Sequence, residues 1–315
     1  MSSNTEERQK IFQGYPRGWF IVSFSAELPV GEVKTLNYFG DKMVLYRGED
    51  GVARVMDAYC PHLGGSLGRG RVIGDSIECP FHAWRFGTDG KCNHIPYSAK
   101  IPPKAQVGVR HVKEVNNIIF MWNDPKGGEP QFDVPVMPEC SSDEWLPWSF
   151  ACLRVPTHPH ELVENVVDIG HFTPVHRTKV EKFENVFDGH IATQINSGTA
   201  YPIGGGVDHY HIEATYYGPG FQISQWKGFM EARLINANTM VDKESMDLRF
   251  AVMLKKGTDP RQTKAFQKGY VENMSKGFQE DIDIWKEKRF TPNPVLCEGD
   301  GPFIKLRKWY SQFYA

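Results

Sequence analysis

Short apolar runs separated by turn-forming residues dominate the first 125 positions, a pattern that is typical of β-strands. Strands are predicted at residues 18–22, 43–47, 52–56 and 115–122, because each run is rich in apolar side chains. Residues 48–51, Gly-Glu-Asp-Gly, lie between the second and third of these runs and predict a hairpin turn. The first part of the chain is therefore expected to form an all-β domain.

The pattern changes after a breaker-rich stretch at residues 124–130, which holds two prolines and two glycines. We place a domain boundary at this stretch. The prediction is one domain over residues 1–125 and a second domain over residues 126–315.

The second region combines strand-like runs with two helical patterns. A helix interrupted at Pro174 is predicted over residues 161–175, and a long helix is predicted over about 260–288. Strands followed by a long helix favour an antiparallel sheet with a helix on one face, so the fold class is predicted to be α+β. The predicted strands are residues 191–199, 209–217, 221–226, 232–239 and 246–254.

Composition and charge narrow the class of protein. The 315 residues are 40% hydrophobic, which is enough for a folded core and excludes a disordered chain. With 36 basic and 38 acidic residues, the net charge is −2, and no block of like charge indicates binding to nucleic acid or to an anionic membrane. The start has no signal-peptide pattern, and no apolar run approaches the ~20 residues of a membrane span. We therefore expect a cytoplasmic protein.

Two motifs, Cys60-x-His62 and Cys79-x-x-His82, carry the most specific chemistry in the chain. Two thiolates on one iron and two imidazoles on the other are the ligands of a Rieske [2Fe–2S] cluster. Neutral histidines in place of thiolates raise the reduction potential above that of a four-cysteine cluster. The chain is therefore predicted to accept electrons from a low-potential donor and pass them on. A structural zinc site is the alternative for this ligand set.

A second metal site is predicted where two histidines and a carboxylate can meet. His171 and His176 are five positions apart, so they would not share a face of a regular helix. Pro174 between them and Gly170 before them break that regularity and allow both imidazoles to turn toward one point. Two histidines and one carboxylate with open positions are the ligands of non-haem Fe(II) oxygenases. Ordinary core or surface histidines are the alternative for this pair.

The long predicted helix supplies a candidate for the carboxylate. Tyr270, Met274, Phe278 and Trp285 form an apolar stripe at helical spacing, and Asp281 lies inside that stripe. A carboxylate on the core face is costly unless it is paired or bound to a metal. We therefore predict Asp281 as the third iron ligand, with a surface acid on a frayed face as the alternative.

Two polar residues close to the histidines are candidate catalytic residues. Asp168 lies three positions before His171, so it can accept a hydrogen bond from that imidazole and fix its orientation. Asn165, one helical turn before Asp168, is predicted to add a polar contact near the metal. An ordinary acid on the helix surface is the alternative for Asp168.

For several other side chains a structural role is favoured over a role in the site. His158 and His160 flank a proline and are interpreted as loop residues, whereas His209 and His211 alternate on a predicted strand and are interpreted as strand residues. Three aromatic residues are interpreted as core side chains, with the lining of an apolar pocket as the alternative. These aromatic residues are Phe221, Trp226 and Phe229.

Together the motifs resemble the terminal oxygenase components of Rieske non-haem iron oxygenases. Over nearly the whole chain the sequence is similar to 3-ketosteroid 9α-hydroxylase oxygenases and to the related cholesterol 7-desaturases. Outside the metal motifs, the resemblance rests on residues 15–20 (Tyr-Pro-Arg-Gly-Trp-Phe), 57–64 (Asp-Ala-Tyr-Cys-Pro-His-Leu-Gly), 95–98 (Ile-Pro-Tyr-Ser), 298–302 (Glu-Gly-Asp-Gly-Pro) and 307–314 (Arg-Lys-Trp-Tyr-Ser-Gln-Phe-Tyr).

The resemblance implies an N-terminal all-β Rieske domain, a catalytic domain with an antiparallel sheet and a long C-terminal helix, and two cofactors. The cofactors are a Rieske [2Fe–2S] cluster and a mononuclear Fe(II). The implied residues are Cys60, His62, Cys79 and His82 for the cluster, Trp84 as its shield, and His171, His176 and Asp281 for the iron.

The resemblance also implies partners. Asp168 matches the acid that links the Rieske site of one subunit to the catalytic iron of its neighbour, which implies a head-to-tail homotrimer. The chain has no Gly-x-Gly-x-x-Gly fingerprint after a strand, so a separate NAD(P)H-linked reductase is expected to supply the electrons.

The implied function is that of the oxygenase component of a Rieske monooxygenase that hydroxylates a steroid or a similar polycyclic ketone. Two alternatives stay open at this point: the same chemistry on an aromatic substrate, and an electron carrier without catalytic iron. Hydroxylation and desaturation begin with the same hydrogen abstraction, so the sequence does not separate them. The chain is shorter than typical steroid hydroxylases and lacks the membrane-spanning start of animal cholesterol desaturases.

Overall fold

The computed structural model describes residues 3–201, 206–228 and 230–314. These residues form two compact units. The sequence-based boundary at residue 125 stays a prediction, since the units are interleaved along the chain. One unit comprises residues 21–123 and 127–131, and the other combines the residues before 21 with 124–126 and the chain from residue 132 onward.

The first unit is built from short antiparallel strands, as its pattern of apolar runs predicts. Its sheets have the strand orders β2–β3–β4–β9, β5–β6–β7–β8 and β1–β11–β10. The predicted hairpin at residues 48–51 is confirmed, since β3 pairs with β4 on either side of it. The strands are β1 (Gly18–Phe24), β2 (Val33–Tyr38), β3 (Asp41–Arg47), β4 (Ala53–Asp57), β5 (Arg71–Ile73), β6 (Ser76–Glu78), β7 (Arg85–Phe86), β8 (Cys92–His94), β9 (Val109–Arg110), β10 (Val112–Val115) and β11 (Ile118–Asn123).

The strand predicted at residues 115–122 is confirmed over residues 118–122, which lie in β11, but its predicted start is wrong because the chain reverses at residues 116 and 117. β10 and β11 pair as a hairpin, and Asn116 and Asn117 form the turn with φ values of 59° and 61°. Asparagine tolerates the left-handed region that such a tight turn requires. The prediction joined Val115, the last residue of β10, to the apolar run of β11 and did not include the rest of β10.

The second unit is a large antiparallel sheet with helices. The sheet has seven strands in the order β12–β18–β17–β16–β15–β14–β13. Its strands are β12 (Ser149–Val155), β13 (Thr178–Asp188), β14 (Ile191–Ala200), β15 (Asp208–Tyr217), β16 (Phe221–Lys227), β17 (Glu231–Asp242) and β18 (Ser245–Leu254). Its helices are α1 (Ser3–Ile11), α2 (His160–Glu164), α3 (Phe172–His176), α4 (Pro260–Trp285) and α5 (Phe303–Ser311).

The predicted α+β class is confirmed, and the five predicted strands correspond to β14 to β18. The sequence reasoning missed β12 and β13, which are the two edge strands of the sheet. An edge strand exposes more of its side chains, so β13 alternates apolar residues with lysine and glutamate. Because charged residues interrupt its apolar positions, β13 has no continuous apolar run and was not predicted.

Helix α4 lies over the sheet and ends close to its predicted limit. Asp259 caps its N-terminus by accepting hydrogen bonds from two main-chain N–H groups, and Pro260 occupies the first turn. Its buried residues Val271, Ile282 and Trp285 share a core with Phe250 of β18. None of the helices in the described part of the chain combines the length and apolar character needed to cross a bilayer.

The helix predicted over residues 161–175 is two short helices, and Pro174 is not the break. Pro174 lies in the first turn of α3, where proline costs little because its missing N–H would be unpaired anyway. The chain leaves helical conformation between α2 and α3 instead. We call residues 165–176, which contain this break and α3, the arm.

The arm is held by residues distant in sequence. The side-chain amide of Asn185 on β13 donates to the carbonyl of Val166 at 2.8 Å. A Cβ at Gly301 would lie 1.7 Å from the carbonyl oxygen of Val167, so only glycine fits there. Arg307 of α5 donates to Glu164 at 2.6 Å, just before the arm. Residues 298–307 therefore form a brace against the start of the arm.

Candidate metal centres

The two cysteine loops of the first unit share one backbone conformation. In each loop the cysteine N–H donates to the carbonyl five residues later, at 2.9 Å for Cys60 and 2.8 Å for Cys79. The residue four positions after each cysteine is left-handed, with φ of 75° at Gly64 and 54° at Ala83. The left-handed conformation costs a residue other than glycine roughly 1–2 kcal/mol. Ala83 therefore strains the second loop, whereas Gly64 avoids this strain in the first.

The four predicted cluster ligands lie close together in this unit. Cys60 and Cys79 are buried and belong to the same core cluster. The ring centroids of His62 and His82 are 4.6 Å apart. Trp84 stacks on His62 with a centroid distance of 4.5 Å and an interplanar angle of 6°, so it covers one face of this histidine.

Three observations on the residues fit a [2Fe–2S] cluster between these loops. Nδ1 of His62 is buried and has no hydrogen-bond partner within the described ranges, which leaves it available to a metal. A Cβ at Gly65 would lie 2.8 Å from Sγ of Cys79, so the glycine allows its main chain to approach the sulfur. Burial raises the pKa of the Cys60 thiol to about 11 against the lowering effect of the His62 N–H. Cluster assembly must therefore release a proton there.

The second predicted site lies in the larger unit, where three donors converge. His171, His176 and Asp281 each place one ligand atom within 4.8 Å of the others. Nε2 of His176 is 3.3 Å from Oδ1 of Asp281, and the two imidazole centroids are 5.1 Å apart. Two neutral donors and one anionic donor fit a single mononuclear Fe(II).

His171 is oriented by a main-chain atom. Its Nδ1 is 2.6 Å from the carbonyl oxygen of Asp168, whereas the carboxylate of Asp168 is 3.6 Å away. The carbonyl accepts, so Nδ1 carries the proton and Nε2 is left to bind a metal. The Asp168 carboxylate instead accepts from the main-chain N–H of His171 at 3.3 Å. The predicted contact between the two residues exists, but the nearest acceptor is the carbonyl.

The carboxylate of Asp168 stays ionised in this setting. Burial raises the pKa of Asp168, but the hydrogen bonds and charge of His171 lower it further, so its pKa lies below the ordinary value. Its side chain is 34% exposed, which leaves part of the carboxylate accessible from outside this chain.

Asp281 lies on the buried face of α4, where the apolar stripe placed it. The residue is 5% exposed, whereas its neighbour Asp283 is exposed and pairs with Lys286 at 2.9 Å. The partly buried stripe residues pack against the same core as the sheet. A buried carboxylate facing His176 and lacking a lysine or arginine within ion-pair distance in the described structure suits an iron ligand.

Sequence reasoning missed two residues beside His176. Arg177 ends α3 in the left-handed conformation with φ of 55° and donates to Glu280 at 3.4 Å. The second oxygen of Glu280 lies 3.9 Å from Nδ1 of His176. Glu280 directly precedes Asp281 on α4 and is half-buried. No pattern in the sequence connects it with Arg177.

A cavity of about 750 Å³ opens beside the three donors. Asn165 lines it together with the two histidines and Asp281, so all four predicted residues share one site. The opposite wall is the sheet, from β14 to β17. Its apolar side chains include Ile212, Ala214, Tyr216, Trp226 and Leu234.

Strand alternation decides which other predicted residues reach the cavity. His209 and His211 are exposed on β15 and do not line it, whereas Trp226 does. Phe221 is fully buried, so its interpretation as a core residue agrees with the structure. Phe229 lies outside the described residues.

His158 and His160 are buried in a charged network at the start of α2. Nδ1 of His158 accepts the main-chain N–H of His160 at 3.1 Å. Nδ1 of His160 lies 3.1 Å from Nδ1 of His158. Nε2 of His160 lies 3.0 Å from Oε1 of Glu161. Both ring nitrogens of His160 therefore have polar partners inside the buried network.

The side chains of this network could bind a metal ion, but basic residues already pair with its carboxylates. His160, Glu161 and Glu164 offer ligand atoms within 4.8 Å of one another. Lys288 lies 2.5 Å from Glu161, and Arg307 lies 2.6 Å from Glu164. These cations already neutralise the carboxylates, so the cluster fastens α2 to the brace and does not favour a metal ion.

The Cys/His loops of one unit and the two-histidine, one-carboxylate pocket of the other define a Rieske-type iron-dependent oxygenase. A model of the Rieske [2Fe-2S] domain matches residues 18–113, and a model of the 3-ketosteroid 9α-hydroxylase C-terminal domain matches residues 121–314. The chain belongs to the 3-ketosteroid 9α-hydroxylase family. Membership of this family confirms the two predicted cofactors, a [2Fe–2S] cluster and a mononuclear iron.

Relatives extend over most of the chain. A 3-ketosteroid-9-alpha-monooxygenase oxygenase component from Rhodococcus rhodochrous is 37% identical, over 96% of this chain and 83% of the relative. A protein of the same name from Mycobacterium tuberculosis is 34% identical, over 96% and 82%. The cholesterol 7-desaturase nvd of Xenopus laevis is 30% identical, over 96% and 72%.

Solved structures share the fold. Dicamba monooxygenase bound to dicamba has a TM-score of 0.79 at 16% identity, over 94% of this chain and 96% of that chain. The NdmA QL mutant of Pseudomonas putida CBB5 with theobromine has a TM-score of 0.76 at 16% identity, over 98% and 95%. At this identity the likeness shows a common fold and nothing about substrate.

Proposed function

We propose that this protein is the oxygenase component of a multicomponent Rieske monooxygenase that hydroxylates a steroid or a similar polycyclic ketone. The observation that carries the proposal is the cavity of about 750 Å³, with three metal donors on one side and a largely apolar sheet wall on the other. The relatives named as 3-ketosteroid-9-alpha-monooxygenase oxygenase components support the substrate class.

The proposal assigns each donor a role. When bound, the cluster relays single electrons, and the mononuclear iron supplies O₂ activation for insertion of one oxygen atom into a C–H bond. The carbonyl of Asp168 holds the proton of His171 on Nδ1, which directs Nε2 toward the metal. The assigned ligands are Cys60, His62, Cys79 and His82 for the cluster and His171, His176 and Asp281 for the iron.

The pocket residues would hold the substrate and keep water away from the donors. Leu162, Phe172 and Phe278 line the cavity near the metal side with apolar surface. Asn165 is proposed to give one polar contact there, since this residue also lines the cavity. A dry, apolar pocket strengthens the electrostatic influence of the few polar groups that remain in it.

The proposed partners are a separate reductase and two further copies of this chain. Exposed apolar side chains surround the cysteine loops, with Leu63 64% and Phe81 60% exposed, and such surfaces mark protein contacts. The partly exposed carboxylate of Asp168 supports its role as the acid that meets the cluster of a neighbouring subunit in a homotrimer. Dependence on an NAD(P)H-linked reductase supports a cytoplasmic location.

The test is mass spectrometry of products formed by iron-reconstituted protein with a surrogate reductase, NADH, ¹⁸O₂ and a 3-ketosteroid. One labelled oxygen atom in the steroid supports the proposal. A product that has lost two hydrogen atoms without gaining label would indicate desaturation. No product from a reducible cluster and a fully iron-loaded protein would overturn the steroid assignment and favour an aromatic substrate.

A further inference from the structure

The Ile-Pro-Tyr-Ser motif at residues 95–98 places a tyrosine against the indole that covers His62. Nε1–H of Trp84 donates to Oη of Tyr97 at 2.7 Å. The same indole lies nearly parallel to the imidazole of His62, with a centroid distance of 4.5 Å and an interplanar angle of 6°. Tyr97, Trp84 and His62 therefore form a continuous row of rings that ends at a ligand of the cluster.

Two short strands bring Tyr97 to Trp84, although the two residues are 13 positions apart in the sequence. β7 begins directly after Trp84 and pairs with β8, with Arg85 opposite His94. Tyr97 follows three residues after the end of β8. The main-chain N–H of Cys79 donates to the carbonyl of Trp84 at 2.8 Å, which ties the indole to the second cluster loop. The strand pairing therefore sets where the Tyr97 hydroxyl lies relative to that loop.

The turn that presents Tyr97 is itself fixed. Ile95 is buried in the same core cluster as Trp84. The main-chain N–H of Ser98 donates to the carbonyl of Ile95 at 3.2 Å and closes a four-residue turn. Pro96 occupies the second position of this turn, where the fixed φ of proline favours the turn conformation. The acceptor oxygen is thus held in place before the indole N–H meets it.

The exposure of the two aromatic residues separates their roles. Trp84 is 8% exposed, whereas Tyr97 is 60% exposed. A buried indole N–H needs an acceptor, and the position of that acceptor restricts how the ring can turn. A tyrosine with so much of its surface in water adds little to the packing of the core. Its main effect on Trp84 is therefore the hydrogen bond.

The second histidine of the cluster site has a different aromatic neighbour. The ring of Phe81 lies 3.9 Å from that of His82 at an interplanar angle of 39°, and Phe81 is 60% exposed. A phenyl ring has no N–H or O–H group with which to fix its angle. The aromatic cover is therefore held by a hydrogen bond on the His62 side and by packing alone on the His82 side.

We infer that Tyr97 is a positioning residue for the cluster: its hydroxyl holds the indole of Trp84 parallel to the His62 ring and thereby lowers the reduction potential of the cluster. The face of an indole carries the negative part of the ring quadrupole, so an indole fixed against a cluster ligand disfavours the added electron. The fixed ring also keeps water from this side, and water would stabilise the extra negative charge of the reduced cluster. Both effects have the same sign. The inference depends on the cluster and not on the substrate of the proposed function.

The experiment is a redox titration of the cluster-loaded protein at fixed pH, with dithionite as the electron donor, mediator dyes, and absorption as the signal. Tyr97→Phe removes the acceptor hydroxyl and keeps the ring. Tyr59→Phe is the matched control, because Tyr59 is 50% exposed and directly precedes the ligand Cys60. Trp84→Phe removes the donor and is measured alone and combined with Tyr97→Phe.

Tyr97→Phe is expected to raise the potential. At any fixed applied potential the ratio of reduced to oxidised cluster should increase about 3- to 10-fold, and a tenfold change corresponds to about 59 mV for one electron. Tyr59→Phe should leave the ratio unchanged. In the Trp84→Phe background, Tyr97→Phe should have no further effect, because the donor is already absent. A residue that only stabilises the fold would change the midpoint of urea unfolding and leave the potential where it is.

Three results would overturn the inference: an unchanged potential in Tyr97→Phe with a full complement of cluster, an equal shift in Tyr59→Phe, or additive shifts in the double variant. If Trp84→Phe does not retain the cluster, Tyr97→Leu replaces it. A shift equal to that of Tyr97→Phe then supports the hydrogen bond, whereas a several-fold larger shift assigns the effect to the tyrosine ring and overturns the role of the hydroxyl. Failure to form a steroid product would overturn the proposed function and leave these potentials as they are.

Discussion

At the scale of single residues, the arrangement of the iron donors depends on a few main-chain contacts. The carbonyl of Asp168 sets the tautomer of His171, and Gly65 lets a backbone segment approach the sulfur of Cys79. Neither contact depends on a side chain that sequence patterns can single out. The ligand types could be predicted from their spacing, because the chemistry requires them, but the atom that orients His171 could not.

His171→Ala tests the assignment of the mononuclear site. We expect loss of the iron bound outside the cluster, an unchanged Rieske absorption spectrum, and turnover reduced by at least about 100-fold, since two donors hold Fe(II) poorly. Iron content, absorption and product formation measure the three quantities. His211→Ala, at an exposed strand position, is the control. Retained turnover in His171→Ala would rule out the assignment.

Asp168→Asn tests the separate roles of the main chain and the side chain. The carbonyl that accepts from His171 is kept, so iron content should stay within about 2-fold of the unmodified protein. If the carboxylate meets the cluster of a neighbouring subunit, cluster reoxidation with substrate and O₂ should slow by about 10-fold or more. Rapid-mixing absorption measures this step, with Asp283→Asn on exposed α4 surface as control. Unchanged reoxidation contradicts the proposed bridge.

At the scale of elements, the arm matters most, because the fold has to interrupt a helix to aim two histidines at one point. Proline is a strong helix breaker in sequence, and it drew the predicted interruption to position 174. The actual break comes earlier, between α2 and α3, where Asn185 donates to the Val166 carbonyl and Gly301 packs against the Val167 carbonyl. Gly301 lies far from the arm in sequence. The local sequence pattern therefore predicted that the helix is interrupted but placed the interruption at the wrong residue.

Gly301→Ala tests the brace. The new methyl group would overlap the carbonyl of Val167, so we expect about 1–3 kcal/mol lower stability to urea and a lower iron content. Gly299→Ala is a matched control, because no atom lies within 4 Å of its Cβ position. Equal behaviour of the two variants would show that the brace does not hold the arm.

At the scale of the whole molecule, the sequence predicted the α+β class and five strands of the large sheet, because apolar alternation is strong where strands are central. It did not predict the buried charge network of His158, His160 and Glu161. Such a network is specified by residues from both ends of the second unit. Its members look like surface residues until the fold brings them together.

The network makes stability depend on pH. Burial, then the charges of His160 and Arg8, lower the pKa of His158 well below its ordinary value of 6.5. The unfolded chain therefore binds more protons than the folded protein below about pH 6.5, and the contribution of His158 is lost as the pH falls from there toward its folded pKa.

His158→Gln should weaken this acid sensitivity. Between pH 6.5 and 5 the free energy of unfolding is expected to fall less steeply in the variant, by up to about 1.4 kcal/mol per pH unit. Urea unfolding at several pH values measures the slope, with exposed His211→Gln as control. Parallel slopes for His158→Gln and the unmodified protein would contradict the buried neutral histidine.

The brace has a consequence for how the protein acquires its catalytic metal. Gly301 and Arg307 contact residues that precede them by more than 130 positions, 134 and 143 respectively (301 − 167 and 307 − 164). Contacts of such high sequence separation form late in folding, because the intervening loop must close first. The histidines of the arm are thus among the last groups to be fixed. We expect iron to enter a nearly finished protein and to have no part in nucleating its folding.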